Sequence, residues 1–119
     1  LDILQNGIGT KTIAVLEKSL DVKPAQMARI LGISLKTLQR YKAAPHRKLN
    51  PDISERIMRI ATLKDRTLEV FEDDTKATHW LRSPSIALGW RAPLDIIPFN
   101  LGIDLVMNEL GRIEHGVVS

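Results

Sequence analysis

Seven lysine and arginine side chains lie between residues 21 and 50, and these are the types that bind phosphate. Arginine and glutamine can also form paired hydrogen bonds to guanine and adenine in the major groove of DNA. Asp21 is the only acidic residue of this stretch, which therefore carries an excess of six positive charges, against +3 for all 119 residues. The basic side chains are thus concentrated where a polyanion could bind. A solvated basic face is the alternative interpretation.

The same stretch has the residue spacing of a helix-turn-helix. Ala28 is small where two helices must cross, and Gly32 follows four residues later, where the turn needs a positive φ. Ser34 can cap a second helix, which Leu38 and Tyr41 would return to the core. This spacing predicts a DNA-binding helix-turn-helix, with a chance match in a helical protein as the alternative.

The side chains that would contact DNA follow from that interpretation. Arg40 can address guanine and Gln39 adenine, whereas the other polar and basic side chains are better suited to phosphate. Any single one of them could equally be an ordinary solvated side chain, so the prediction depends on the set. The predicted DNA-binding residues are Gln26, Ser34, Lys36, Thr37, Gln39, Arg40, Lys42, Arg47 and Lys48.

Helical spacing of apolar residues extends along the rest of the chain. Asn50 and Pro51 predict the start of a long helix that reaches Phe71. Asp73 or Asp74 then caps a short helix. No segment alternates with period two, so the predicted fold class is all-α. We expect an N-terminal helix-turn-helix lobe with its linking helix over residues 1–72 and a C-terminal helical lobe over 73–119.

Several local features give further predictions. Residues 1–9 are expected to be a frayed arm, and Asn100 is expected to cap the last helix. Gly111 would weaken that helix, which favours close packing at this point, and Gly116 would end it. Trp90 is interpreted either as a packing residue or as a partly exposed anchor for a protein partner.

The composition argues against an enzyme. The chain has no cysteine, so neither disulfides nor thiolate metal sites are available, and its three histidines lack metal-ligand spacing. Phosphate-binding glycine loops and activated serines are missing from the sequence too. We therefore expect no catalytic residues, no metal and no cofactor. Without a signal peptide or a long apolar run, a cytoplasmic protein is expected, and the start at Leu1 suggests that the true N-terminus is missing.

The segments WLRSPSIALGWRAPLDI (80–96) and LGRIEHGVVS (110–119) resemble the C-terminal toxin-binding region of Xre-type antitoxins from RES–Xre toxin–antitoxin systems. This is the broad group of the MbcA and ParS-like antitoxins. The segments MARILGISLKTLQRYK, LNPDISERIMRIA and LEVF are similar to the helix-turn-helix and linking helix of that family, in the same order. The resemblance covers roughly residues 12–119.

The resemblance implies a RES-domain toxin that attacks NAD as the partner. It also implies repression of a shared promoter. We expect a homodimer or a larger assembly, because one lobe of this size offers little base readout. The C-terminal end would enter the toxin's active-site cleft, where carboxylates could occupy the hydrogen-bond donors of a dinucleotide site. A frayed terminus is the alternative. The implied toxin-binding residues, together with the candidate anchor, are Trp90, Arg112, Glu114, His115, Gly116, Val117, Val118 and Ser119.

Three other functions compete with this one. A plain helix-turn-helix repressor could use its C-terminal lobe only to dimerise or to bind a small effector. A protein-binding module with a decayed helix-turn-helix would bind no operator. A small enzyme is the third alternative.

Overall fold

A computed structural model describes residues 8–44 and 46–116 of the chain. Within these ranges the protein is helical and contains no strand, which confirms the predicted fold class. A short 3-10 helix spans Ile86–Leu88. The α-helices are α1 Lys11–Leu20, α2 Pro24–Leu31, α3 Leu35–Lys42, α4 Pro51–Phe71, α5 Asp74–Arg82, α6 Pro93–Ile96 and α7 Asn100–Glu114.

The chain divides into two compact units, Leu1–Ala61 and Thr62–Ser119, and α4 runs from the first into the second. The division expected between residues 72 and 73 stays a prediction. No helix in the described ranges combines the length and the apolarity needed to cross a lipid bilayer.

The first unit is built on helices that each bury one face. Helices α1 and α2 both pack against α3. On α1, Ile13, Leu16 and Leu20 recur every three or four residues and are all buried, as helical periodicity requires. The helix ends at Asp21, whose φ of 55° reverses the chain toward α2. Leu38 on α3 is fully buried and closes this core.

Residues 8 and 9 belong to this unit, so the frayed arm predicted for residues 1–9 is wrong at these two positions. Gly9 forms an antiparallel bridge with Lys48. The Leu49 N–H donates to the carbonyl of Ile8 at 2.8 Å, and the Ile8 N–H donates to Ser54 Oγ at 2.9 Å. Residues 1–7 lie outside the described residues. The bridge gives residues 47–49 a fixed backbone.

The second unit begins with the C-terminal part of α4. Asp73 caps α5, since its carboxylate accepts the N–H of Lys76 at 2.9 Å. Lys64 is buried, and its ammonium lies 2.9 Å from the carboxylate of Asp74. The rings of Phe71 and Trp80 are 5.4 Å apart. These contacts hold α4 and α5 together, because a buried lysine charge needs a partner.

Two predictions about α7 are wrong. The residue at its N-cap is Phe99, and the helix begins at Asn100 itself. Close packing occurs at Gly102 rather than Gly111. A Cβ at Gly102 would overlap the carbonyl group of Ile96, whereas a Cβ at Gly111 would meet no heavy atom within 4 Å.

These two glycines give a matched pair of substitutions. We expect Gly102→Ala to lower the free energy of unfolding by about 3 kcal/mol, because the backbone of α6 must move away. Gly111→Ala adds the same methyl group in open space and should raise that free energy by about 1 kcal/mol. Denaturant unfolding measures both. Equal effects would show that the approach of α6 and α7 does not depend on the glycine.

Candidate DNA-binding and partner-binding surfaces

The helix-turn-helix has the geometry that its sequence predicts. Ala28 is buried on α2, and Gly32 ends that helix at a φ of 71°. Ser34 begins α3 as its N-cap, and its hydroxyl oxygen accepts the N–H of Thr37 at 3.0 Å. Tyr41 is half-buried. Each local signal therefore performs the structural role for which its residue type is suited.

Three of the predicted DNA-binding side chains share one exposed face of α3. Lys36, Gln39 and Arg40 are all exposed, and residues three and four apart are neighbours on a helix. Thr37 and Gln26 are half-buried, while Ser34 is exposed at the helix start. The face of α3 opposite Leu38 is thus basic and polar. It offers both a guanidinium and an amide for base edges.

Lys42 differs from the other candidate phosphate contacts. Its ammonium lies 2.6 Å from a carboxylate oxygen of Glu17 on α1, and that carboxylate is largely buried. A phosphate group would have to compete with Glu17 for this charge. The ion pair holds α1 to the end of α3. It therefore gives Lys42 a role in positioning the helix that could not be predicted from the sequence.

Arg47 and Lys48 extend the basic surface from the loop that precedes α4. Both side chains are exposed. Their backbone is held in place, because the Thr10 N–H donates to the carbonyl of Arg47 at 2.9 Å and Lys48 pairs with Gly9. Cations carried on a fixed backbone lose less conformational freedom when they bind phosphate.

Trp90 lies on a tight loop in the second unit. Ser85 and Arg91 pair across the loop, and the Trp90 N–H donates to the carbonyl of Ser85 at 2.8 Å. Gly89 and Trp90 both have positive φ, 69° and 64°. The Trp90 residue is 68% exposed, so its interpretation as a packing residue is wrong. Holding an exposed tryptophan in a conformation that costs energy is typical of binding surfaces.

Other exposed apolar side chains lie in the same unit and were not predicted. Leu101 and Leu105 are one turn apart on α7, outside its buried stripe of Ile103, Val106 and Leu110. Ile86, on the 3-10 helix that contacts α7, and Phe99 are exposed as well. The exposure of the two leucines could have been predicted from the sequence, because they fall outside the helical spacing of the buried residues of α7. These side chains are candidate contacts for a protein partner.

The end of α7 carries the candidate tail residues. Arg112 is exposed, with its Nε 3.7 Å from a carboxylate oxygen of Glu109. Glu114 is the last helical residue, and both of its carboxylate oxygens accept hydrogen bonds from Arg66. His115 follows as the C-cap, and Gly116 has a φ of 67°, which fits the predicted end of the helix. The predicted contacts at Val117, Val118 and Ser119 lie outside the described residues.

Hydrogen bonding shifts the pKa of Glu114. The two hydrogen bonds from Arg66 lower the pKa of the Glu114 carboxyl, and partial desolvation opposes this shift only in part. The same hydrogen bonds raise the pKa of Arg66. In the folded protein, Glu114 is therefore a stably ionised acceptor. No group of three His, Cys, Asp or Glu side chains within residues 8–44 and 46–116 could hold a metal ion.

These features define an all-α protein with an N-terminal helix-turn-helix unit and a separate C-terminal helical unit. Two family descriptions match it in that order. "Antitoxin Xre-like helix-turn-helix domain" matches residues 2–61, and "Antitoxin Xre/MbcA/ParS C-terminal toxin-binding domain" matches residues 67–116. The chain belongs to the Xre antitoxin family.

Individual relatives agree with this assignment. The chain is 30% identical to Antitoxin Xre of Photorhabdus laumondii, covering 98% of this chain and 79% of that protein. It is also 30% identical to Antitoxin Xre of Yersinia enterocolitica, covering 100% and 80%. The crystal structure of the M. tuberculosis MbcT–MbcA toxin–antitoxin complex contains a similar fold, with a TM-score of 0.67, 20% identity and coverage of 92% and 96%. The family is one of antitoxins, which confirms the expectation of a non-enzymatic protein.

Proposed function

We propose that this protein neutralises a cognate RES-domain toxin that attacks NAD, and that it represses its own operon by binding operator DNA. The observation that carries the first half is the match of residues 67–116 to a toxin-binding domain. The exposed apolar side chains of the same unit support it. The second half is supported by the basic exposed face of α3 in a helix-turn-helix. Both activities belong in the cytoplasm, where NAD and the operator are present.

The toxin-binding half of the proposal uses two features of the second unit. Trp90 and the other exposed apolar side chains of this unit supply area that a folded protein partner can desolvate. Residues 115–119 then extend from α7 into the toxin's active-site cleft. A cleft shaped for NAD must attract pyrophosphate, so it offers cations and hydrogen-bond donors that a peptide segment can occupy. The folded surface provides affinity, and the tail provides inhibition.

The DNA-binding half of the proposal requires more than one copy of the chain. A single α3 can read only a few base pairs, whereas two such helices about 34 Å apart read an inverted repeat. We therefore propose that a homodimer, or a larger assembly with the toxin, binds the operator. The loop residues Arg47 and Lys48 would contact the flanking phosphates.

NAD consumption by the purified toxin tests the first half of the proposal directly. Adding the full chain in increasing amounts should stop NAD consumption at a fixed molar ratio of the two proteins. The Arg40→Ala variant is a matched control, because it alters only the proposed DNA surface and should inhibit equally well. Undiminished NAD consumption at excess antitoxin would leave the plain repressor as the better explanation.

Trp90 offers a second test, because it is the exposed aromatic side chain best suited to anchor a partner. We expect Trp90→Ala to weaken toxin binding about 30-fold, the effect of losing a hot-spot residue of about 2 kcal/mol. The free energy of unfolding should not change, since the indole is exposed. The positive φ at this position is unfavourable for tryptophan and for alanine alike. Calorimetric titration with the toxin measures this.

Val15→Ala is the control for Trp90→Ala. Val15 is also 68% exposed, but it lies on α1 in the helix-turn-helix unit. Its truncation should leave toxin affinity unchanged. Equal affinities for the Trp90 variant and the unsubstituted chain would remove the loop from the binding surface.

A further inference from the structure

The carbonyl group of Ile30, near the end of α2, accepts a hydrogen bond from a side chain of another helix. Arg56 on α4 donates this bond through its Nε, at 2.7 Å. The two residues are 26 positions apart in the sequence and both belong to the first unit. Arg56 itself is half-buried. The bond therefore ties α4 to the helix that precedes the turn of the helix-turn-helix.

The way in which α2 ends explains why this carbonyl needs a donor. The last carbonyl groups of a helix lack helical partners. At the end of α2, the Gly32 N–H donates to the carbonyl of Arg29 at 3.1 Å. The Ile33 N–H donates to the carbonyl of Ala28 at 3.0 Å. This pair of bonds is common where a helix ends at a glycine, and it does not include the carbonyl of Ile30. The N–H that a longer helix would supply belongs to the N-cap of α3, whose backbone is already extended.

A guanidinium at this position costs free energy. Burial lowers the pKa of Arg56, and the positive charge of Arg59 on the same helix lowers it further. Arginine stays protonated at neutral pH in spite of such shifts, so the charge is kept in a partly desolvated place. The partial negative charge at the C-terminus of α2 offsets part of this cost. An apolar side chain would fill the same space without the cost, which favours a specific role for the donor.

The turn that this bond holds leads directly into α3. Ser34, four residues after Ile30, is the N-cap of α3. At its other end α3 is held to α1 by the ion pair of Lys42 with Glu17. The N-terminal residues of a recognition helix are the ones that contact base edges. The bond from α4 therefore acts on the end of α3 that would read DNA.

We infer that Arg56 is a positioning residue for DNA recognition, which holds the turn of the helix-turn-helix and thereby fixes the direction in which α3 presents its exposed face. The inference rests on the proposed operator binding. It adds to the DNA-binding unit a residue that acts through the turn. A direct contact of Arg56 with phosphate is the alternative that the test must separate.

Two uncharged substitutions separate the hydrogen bond from the charge. In glutamine the amide Nε2 is as many bonds from Cα as Nε is in arginine, so Arg56→Gln keeps a donor for the carbonyl of Ile30. Arg56→Met places a methyl group at that point and keeps neither donor nor charge. We expect Arg56→Met to weaken binding to a duplex that spans the promoter of the protein's own operon about tenfold, because a displaced α3 must be reordered during binding. Arg56→Gln should bind this duplex as the unsubstituted chain does.

The salt dependence of the same gel-shift titration identifies the alternative. Arg56→Met should lower the preference for operator over unrelated DNA and leave the slope of log affinity against log salt unchanged, because no phosphate contact is lost. An equal loss of affinity in both folded variants, checked by circular dichroism, would overturn the inference. A slope smaller by about 0.9 would then identify Arg56 as a phosphate contact. Normal operator affinity of Arg56→Met would overturn the inference as well.

Amide hydrogen exchange of the DNA-free chain tests the structural step separately. The N–H groups of Gly32 and Ile33 should lose protection in Arg56→Met and keep it in Arg56→Gln. Unchanged protection in both variants would contradict the inference.

The Arg40→Ala variant shows which of the two proposals has failed. If neither the unsubstituted chain nor Arg40→Ala prefers operator over unrelated DNA, the proposed operator binding is wrong and the inference falls with it. If Arg40→Ala loses operator affinity and Arg56→Met does not, the inference alone is wrong.

Discussion

Removing residues 116–119 is expected to abolish inhibition of the toxin and to raise the dissociation constant of the complex about a hundredfold. The physical reason is that different parts of the second unit would bind the toxin and inhibit it. Trp90 and the other exposed apolar side chains of this unit should still bind the toxin after the deletion, so a weaker complex forms. Nothing then occupies the NAD cleft, and the bound toxin remains active. Binding and inhibition should therefore separate in this variant.

The experiment measures both quantities on the same two proteins. Calorimetric titration gives the dissociation constant, and NAD consumption at saturating antitoxin gives the residual activity of the bound toxin. The fold should not change, because the deletion starts beyond Glu114, the last residue of α7. Circular dichroism and thermal unfolding check this. Complete inhibition by the shortened chain would reject insertion of the tail and indicate that the folded surface covers the cleft.

Features that depend on short-range rules could be predicted from the sequence. A glycine at the turn, a serine at an N-cap and a proline at the first helical position act within four residues of themselves. Gly32, Ser34 and Pro51 therefore define helix boundaries without reference to the rest of the chain. The helix-turn-helix could be identified because it consists almost entirely of such signals.

Features that depend on contacts distant in sequence could not be predicted. The close approach at Gly102 is set by the path of α6. Gly111 is also a glycine of α7, but no other backbone approaches it. The pairing of Arg66 with Glu114 likewise requires α4 and α7 to be placed first. Trp90 was ambiguous for another reason. Its exposure follows from the bridge between Ser85 and Arg91, and no propensity of tryptophan predicts that bridge.

Arg40→Ala is expected to lower affinity for operator DNA about a hundredfold, which corresponds to the loss of about 3 kcal/mol from a paired contact to guanine. Arg40 is exposed on α3, on the face opposite the buried Leu38. Alanine preserves the helix, so the effect is confined to the lost guanidinium. A gel-shift titration on a fragment spanning the promoter of its own operon measures this, and the loss should be smaller on unrelated DNA.

Changing salt separates base recognition from phosphate binding in the same assay. Lys48→Ala should weaken binding to all sequences alike and reduce the slope of log affinity against log salt by about 0.9, the value for one phosphate contact. Lys76→Ala is the matched control, because it removes the same charge from α5 in the second unit. Arg40→Ala should change the preference for operator over unrelated DNA more than Lys48→Ala does. If all three variants bind operator as the unsubstituted chain does, the helix-turn-helix has kept its fold without its DNA-binding role.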